Sequence, residues 1–177
     1  MKCNICGGNV EILTEQTYHY NECGLDNIYL NNIETEVCQK CSAVSPRLPY
    51  FNLLHKLLAT KLIAQNYLLS GKEIRFLRKE RGQKLQDWAV LLGIDPNTLS
   101  KLENSEQPID IASDRAIRLL YLAMFQIQEK EHFTTRILNV LCRNFETRIE
   151  KTIELDIKQL ATIFSATNDL EQYALTA

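Results

Sequence analysis

The stretch Leu85-Gln-Asp-Trp88-Ala89-Val-Leu-Leu92-Gly93-Ile94-Asp95-Pro96-Asn97-Thr98-Leu99-Ser-Lys101-Leu102-Glu103-Asn104 decides the fold of the 177-residue chain. Its first half spaces apolar residues as a helix does and ends at Gly93, where a left-handed residue stops a helix. Asp95 and Pro96 then supply an N-cap and a first helical position. The pattern predicts one short helix from about Lys84 to Leu92 and another continuing to about Asn104, joined by a glycine turn, which is the helix-turn-helix unit. Ala89 is small where two helices cross, and Leu85, Trp88, Leu92, Ile94, Leu99 and Leu102 make the apolar side. On the other side of the second helix remain Asn97, Thr98 and Lys101. Asn can bond an adenine edge, Lys can donate to guanine and a Thr methyl can touch thymine, so these types suit a base-reading helix. A solvated polar face is the competing interpretation.

Upstream, Ser70-Gly71-Lys72-Glu73 is an S-x-x-E capping box that opens a basic helix ending at Gly82. The segment from Lys72 to Lys84 holds Lys72, Arg75, Arg78, Lys79, Arg81 and Lys84 against Glu73 and Glu80. The chain as a whole has 20 Lys+Arg and 22 Asp+Glu, a net of -2, which excludes indiscriminate coating of nucleic acid and makes any such contact local. Residues 51–128 alone carry 11 basic and 8 acidic side chains. At the start of that stretch, Leu53, Leu54, Leu57, Leu58, Leu62 and Leu69 predict one helix over 51–69, with a connecting or dimer-forming role.

At the N-terminus, Cys3-Asn-Ile-Cys6-Gly-Gly and Cys38-Gln-Lys-Cys41-Ser are two C-x2-C units separated by 31 residues. A small residue after each pair permits the bend that presents two thiolates to one cation, and four sulfurs make a closed structural zinc site. Iron of the rubredoxin kind and disulfide or redox chemistry are the alternatives. Val10 to Leu13, Thr17 to Tyr20 and Ile28 to Val37 read as strands, and Pro46 and Pro49 close the segment. So small a segment has little core, and metal binding is expected to supply most of its folding free energy. Cys23 and Cys142 lack partners at ligand spacing, and His19, His55 and His132 belong to no catalytic constellation. The longest apolar run, Leu119 to Phe125, is seven residues, far below the ~20 that span a bilayer. A cytoplasmic location without membrane contact is expected.

Residues 72–121 resemble the lambda-repressor-like helix-turn-helix domain. With the two cysteine pairs ahead of it, the order over residues 1–125 resembles the MqsA/YgiT-type zinc-ribbon antitoxins. The resemblance implies a dimeric DNA-binding repressor whose zinc domain, in antitoxin members, engages a toxin. By motif match Asn97 and Lys101 fall where that family places its base-contacting residues, and Arg78 and Glu103 where it places a structural ion pair. Two positions depart from the pattern. Leu85 stands in place of a phosphate-contacting Gln, leaving that contact to Lys84 or Gln86, and Ser105 replaces the usual Gly, leaving Asn104 to adopt the turn.

The expected fold is mainly α with a small β zinc ribbon. Residues 1–50 form the four-cysteine zinc ribbon, 51–69 the connecting helix, 70–127 the helix-turn-helix bundle, and 128–177 an α/β extension with a dimerisation or effector role. In that extension Phe133, Ile137, Leu141 and Phe145 predict a helix, Ile153, Leu155 and Ile157 a strand, and Leu160 to Phe164 another helix. The expected function is sequence-specific repression: a homodimer on a palindromic operator of double-stranded DNA, one structural Zn2+ per chain held by Cys3, Cys6, Cys38 and Cys41. Asn97 and Lys101 would read bases, Thr98 would support them, and Lys84 and Asn104 would hold phosphates. A toxin is a further expected partner if the chain is an antitoxin, and a protein-interaction module without DNA readout is the rival. Enzyme activity is not expected, because four thiolates leave a metal no open position.

Overall fold

Ile28, Leu30 and Ile33 are completely buried, and the strand that carries them, β2 (Ile28–Cys38), organises the first half of the protein. In the computed structural model, which describes residues 1–124 and 152–160, β1 (Val10–His19) runs antiparallel to β2 with Val10 opposite Cys38 and His19 opposite Tyr29. Along its other edge β2 has two partners. β3 (Val44–Arg47) pairs antiparallel with residues 34–37 of β2. β4 (Ile153–Asp156) pairs in parallel with residues 28–31. Pro46 therefore lies within the last strand of the segment that it and Pro49 close. It is tolerated because β3 is short and at an edge, where a missing N–H costs no ladder bond. The strand expected near Ile153 forms but ends at Asp156, whose side chain accepts the Lys158 N–H at 2.9 Å and caps the helical turn that follows.

The separate strand patterns before and after Thr14 belong to one bulged strand. Leu13 pairs with Thr35 and Gln16 with Ile33, so Thr14 and Glu15 face Glu34 alone. Tyr18 then pairs with Leu30, so Asn31 and Asn32 face Thr17 alone. Each strand carries one extra residue, and the two insertions cancel, so the register matches at both ends.

The described residues divide into two units, residues 1–54 with 152–160, and residues 55–124. The second is helical: α2 (Gly71–Glu80), α3 (Leu85–Leu92), α4 (Pro96–Glu103) and α5 (Ile111–Met124) follow α1 (Phe51–Ala64). The helix expected over 51–69 ends at Ala64, and the cause is one buried arginine. Arg118 donates to the carbonyls of Leu62, Ile63, Gln65 and Tyr67 at 3.3, 2.8, 2.9 and 2.7 Å. It takes the acceptors that a further helical turn, or water, would have satisfied. Leu57, Leu58, Leu62 and Ile63 are at most 1% exposed, so the apolar seam of α1 is consumed within the chain and is not left open for a dimer contact.

Both capping expectations hold. Ser70 accepts from the Glu73 N–H while the Glu73 side chain bonds the Ser70 N–H, and Asp95 accepts from the Asn97 N–H. A Cβ on Gly71 would lie 2.4 Å from the Leu102 carbonyl oxygen, so glycine here lets the start of α2 abut the end of α4. Gly93 is left-handed, with φ 69°. Trp88, Ala89, Leu99, Leu77, Ile117 and Tyr121 form the core, while Leu85, Leu92 and Ile94 are only half-buried. The turn after α4 is made differently than expected. Asn104 stays in the right-handed region at φ -87°, and Ser105 takes the left-handed position at φ 59°. The Ser105 and Glu106 N–H groups return to the carbonyls of Leu102 and Lys101 at 3.1 and 2.9 Å, a Schellman closure with serine where glycine is favoured. The predicted helix through Phe133, Ile137, Leu141 and Phe145, together with His132 and Cys142, lies outside the described residues, as does the chain beyond Leu160.

A left-handed non-glycine residue costs roughly 1–2 kcal/mol. Ser105→Gly should therefore stabilise the helical unit by about 1 kcal/mol, seen as a higher urea midpoint at unchanged slope. A lower midpoint would mean that the Ser105 hydroxyl is worth more than the relieved strain.

Candidate metal centre and the polar side of α4

The two cysteine pairs fold into knuckles that repeat one another bond for bond. The Cys3 N–H donates to the Gly8 carbonyl and the Cys38 N–H to the Ala43 carbonyl, each at 2.9 Å. The N–H groups of Gly7 and Ser42 return to the carbonyls of Cys3 and Cys38, again at 2.9 Å. The Ile5 and Lys40 N–H groups donate to the Cys3 and Cys38 sulfurs at 3.4 Å. Each knuckle needs a left-handed residue four positions after its first cysteine. Gly7 provides it at φ 69° and Ser42 at φ 55°.

Facing each other, the knuckles bring Cys3, Cys6, Cys38 and Cys41 together with all four sulfurs within 4.8 Å. Two of the separations are 3.7 Å, from Cys3 to Cys41, and 3.5 Å, from Cys6 to Cys38. Four sulfurs ~2.3 Å from a tetrahedral centre would be about 3.8 Å apart, so this cluster can hold a metal ion. Before any cation's charge is counted, the backbone N–H groups of Cys41 and Lys40 pull the Cys38 thiol down to about 6. The Gly8 N–H acts the same way on Cys6, but the sulfurs of Cys38 and Cys41 and burial outweigh it and push that thiol up to about 12. Four clustered thiols do not ionise together, and a bound metal cation would supply the missing positive charge. Gly8 is a residue that ligand spacing does not single out. A Cβ there would lie 2.8 Å from the Lys40 Cβ, 3.2 Å from the Cys38 sulfur and 3.3 Å from the Cys6 sulfur. The double glycine after Cys6 is its trace in the sequence.

Cys23 stays outside the cluster and donates to the Tyr20 carbonyl at 3.2 Å. His19 stacks on Tyr29 at 4.7 Å, and His55 meets the edge of Phe76 at 5.4 Å. Both histidines serve in packing contacts.

In the helical unit, Asn97, Lys101 and Asn104 are exposed, Thr98 is half-buried, and Leu99, Leu102 and Glu103 are buried. Spacings of four and three place Asn97, Lys101 and Asn104 along one side of α4. Lys84 is exposed and stands at the N-cap of α3, where it makes no side-chain cap bond. The Asn104 side chain is engaged by Arg75 and donates to Glu106 at 3.2 Å. The Arg78–Glu103 pair is present and two-pronged, at 2.6 and 2.8 Å, and its hydrogen bonds to Glu103 hold the Arg78 guanidinium above its ordinary range. Arg75 joins the same carboxylate at 3.3 Å, a partner that the sequence pattern does not reveal. No protein-family model, curated protein or solved structure matches the chain.

Cys38→Ser should abolish stoichiometric metal and unfold the N-terminal segment while the helical unit keeps its circular dichroism. Gly8→Ala should weaken metal retention without removing a ligand. Elemental analysis after chelator challenge checks both, and full metal content in Gly8→Ala would show that the knuckles adjust.

The Arg78 side chain is 11% exposed and that of Glu103 1%. Removing one partner of a buried pair costs ~3–5 kcal/mol, and with Arg75 still present Arg78→Ala belongs at the lower end. A melting curve that does not move would show that Arg78 is not a structural residue.

Proposed function

We propose that this chain is a sequence-specific DNA-binding transcriptional regulator, acting as a repressor, in which α3 and α4 are a helix-turn-helix and α4 reads the major groove. The observation that carries the proposal is the two-sidedness of α4. Leu99, Leu102 and Glu103 are locked inward while Asn97 and Lys101 remain exposed, and these are types that can discriminate base edges. Two further features support it. The first turn of α3 has no side-chain cap and begins at exposed Lys84, which suits a backbone phosphate. Exposed Lys72 and Lys79 on α2 add local positive charge.

The N-terminal segment would be a zinc ribbon, with Zn2+ on Cys3, Cys6, Cys38 and Cys41 as a structural ion. Four thiolates complete its coordination, so the metal orders the backbone and offers no position to a substrate. One short helix covers few base pairs, so the protein would act as a homodimer, with two copies of α4 ~34 Å apart on a palindromic operator. The antitoxin-like order of the two segments adds a toxin as a protein partner, with repression of its own promoter.

A protein-interaction module is the second reading, and one observation favours it: Val90 and Leu91 on α3 are 76% and 55% exposed, a surface better suited to a protein than to phosphate. The two differ in their response to salt and sequence. Regulator binding should weaken steeply as salt rises and should prefer one operator over random duplex.

With the operator in hand, Asn97→Ala should lose ~1–3 kcal/mol and relax specificity at one symmetric position. Lys84→Ala should weaken all sequences alike and flatten the salt slope by about one ion per subunit. Fluorescence anisotropy on operator and scrambled duplexes checks both, and equal losses on the two duplexes for Asn97→Ala would remove α4 as the reader.

A further inference from the structure

Within the N-terminal unit lies a cavity of about 910 Å3 that none of the four cysteines lines. Five non-glycine residues among those described have a left-handed backbone: Glu15, Asn32, Ser42, Tyr50 and Ser105. Ser42 closes a cysteine knuckle and Ser105 ends α4. The other three, Glu15 at φ 56°, Asn32 at φ 58° and Tyr50 at φ 55°, all line this cavity. Asn tolerates that conformation, but Glu and Tyr do not favour it. Glu15 and Asn32 are the extra residues of the paired bulges in β1 and β2, a device that re-aims side chains beside binding sites.

Among the described residues the wall is amphipathic and carries two acidic and two basic side chains. Lys158 pairs with Glu15 at 2.6 Å, Arg47 pairs with Glu34 at 3.2 Å and, outside the lining, with Glu36 at 3.0 Å, and Leu48, Pro49, Ile157 and Tyr50 supply apolar area. All four charged side chains are at least 44% exposed, so water already solvates them and a ligand's charges can join each pair. A ligand of one sign would strengthen one half of the wall and be repelled by the other. A polyphosphate would face Glu15 and Glu34, and a bare cation would face Arg47 and Lys158. A molecule with one ammonium and one carboxylate complements both pairs, and the volume is of the size that takes a small organic ligand.

We propose that this cavity binds a short zwitterionic peptide, its ammonium on Glu15 or Glu34, its carboxylate on Arg47 or Lys158, and its apolar side chains on Leu48, Pro49 and Ile157. The proposal does not depend on DNA binding. The test is a titration of the full, metal-loaded chain with leucyl-leucine, followed by amide chemical shifts, beside the N-acetylated, C-amidated dipeptide. Saturable shifts at Thr14, Asn32 and Lys158 are expected, with at least about tenfold weaker binding of the blocked form. At least one of Arg47→Met and Lys158→Met should weaken the free dipeptide by a similar factor. If either variant fails to fold, the comparison of free and blocked dipeptide on the parent chain still decides. Absent saturation, equal binding of the blocked dipeptide, or undiminished affinity in both folded variants would overturn the proposal.

Discussion

The ion pair between Arg118 and Asp114, at 2.6 Å and with both side chains 0% exposed, is the interaction on which the helical unit depends. A guanidinium removed from water is tolerable only when its donors are satisfied. Here they are used on Asp114, on two carbonyls at the end of α1 and on two just after it. Asp114 in turn accepts the Leu69 N–H at 2.8 Å, one residue before the N-cap of α2. One buried pair on α5 thereby ends α1, holds the following turn and sets where α2 begins. Tyr67 and Leu69 remain buried, at 6% and 2% exposure, from an irregular segment whose polar backbone the arginine has satisfied.

A second charge cluster acts on the far side of α2. Glu103 receives Arg78 and Arg75, and Arg75 also engages Asn104, so the end of α4 is tied to α2 through side chains as well as through the Gly71 contact. Under the proposed function, a helix that presents Asn97 and Lys101 outward would need such fixing, because base discrimination depends on sub-ångström placement of short hydrogen bonds. The N-terminal unit gains its order differently. β1 is exposed along most of its length, leaving few buried side chains there, so a metal held by the four-sulfur cluster would be the natural source of cooperativity at the end of the sheet that bears the cysteines.

Features governed by local chemistry were legible from residue order alone. The capping box at Ser70, the N-cap at Asp95, the left-handed Gly93 and the two C-x2-C knuckles each depend on residues within a few positions of one another. The boundaries that these residues set, and the candidate ligands, could therefore be read directly. The serine that replaces glycine after α4 was visible too, but not which residue would turn. Asn104 is held right-handed with its side chain against Arg75, and the strain passes to Ser105.

Long-range pairing was decided by the tertiary structure. Nothing in the spacing of Ile153, Leu155 and Ile157 indicates that this strand completes the sheet begun by β1 and β2, because a parallel partner is selected by the open edge of β2 and not by its own neighbours. The early stop of α1 is of the same kind: its leucine periodicity continues to Leu69, and only Arg118, 53 and 51 positions away from the two carbonyls it meets after the helix, makes the irregular ending favourable. The sequence by itself determined where chains of local hydrogen bonds start and stop and which sulfurs could share a cation. The fold decided which buried charges are satisfied and which strand edges are filled, since those energies exist only once distant segments have come together.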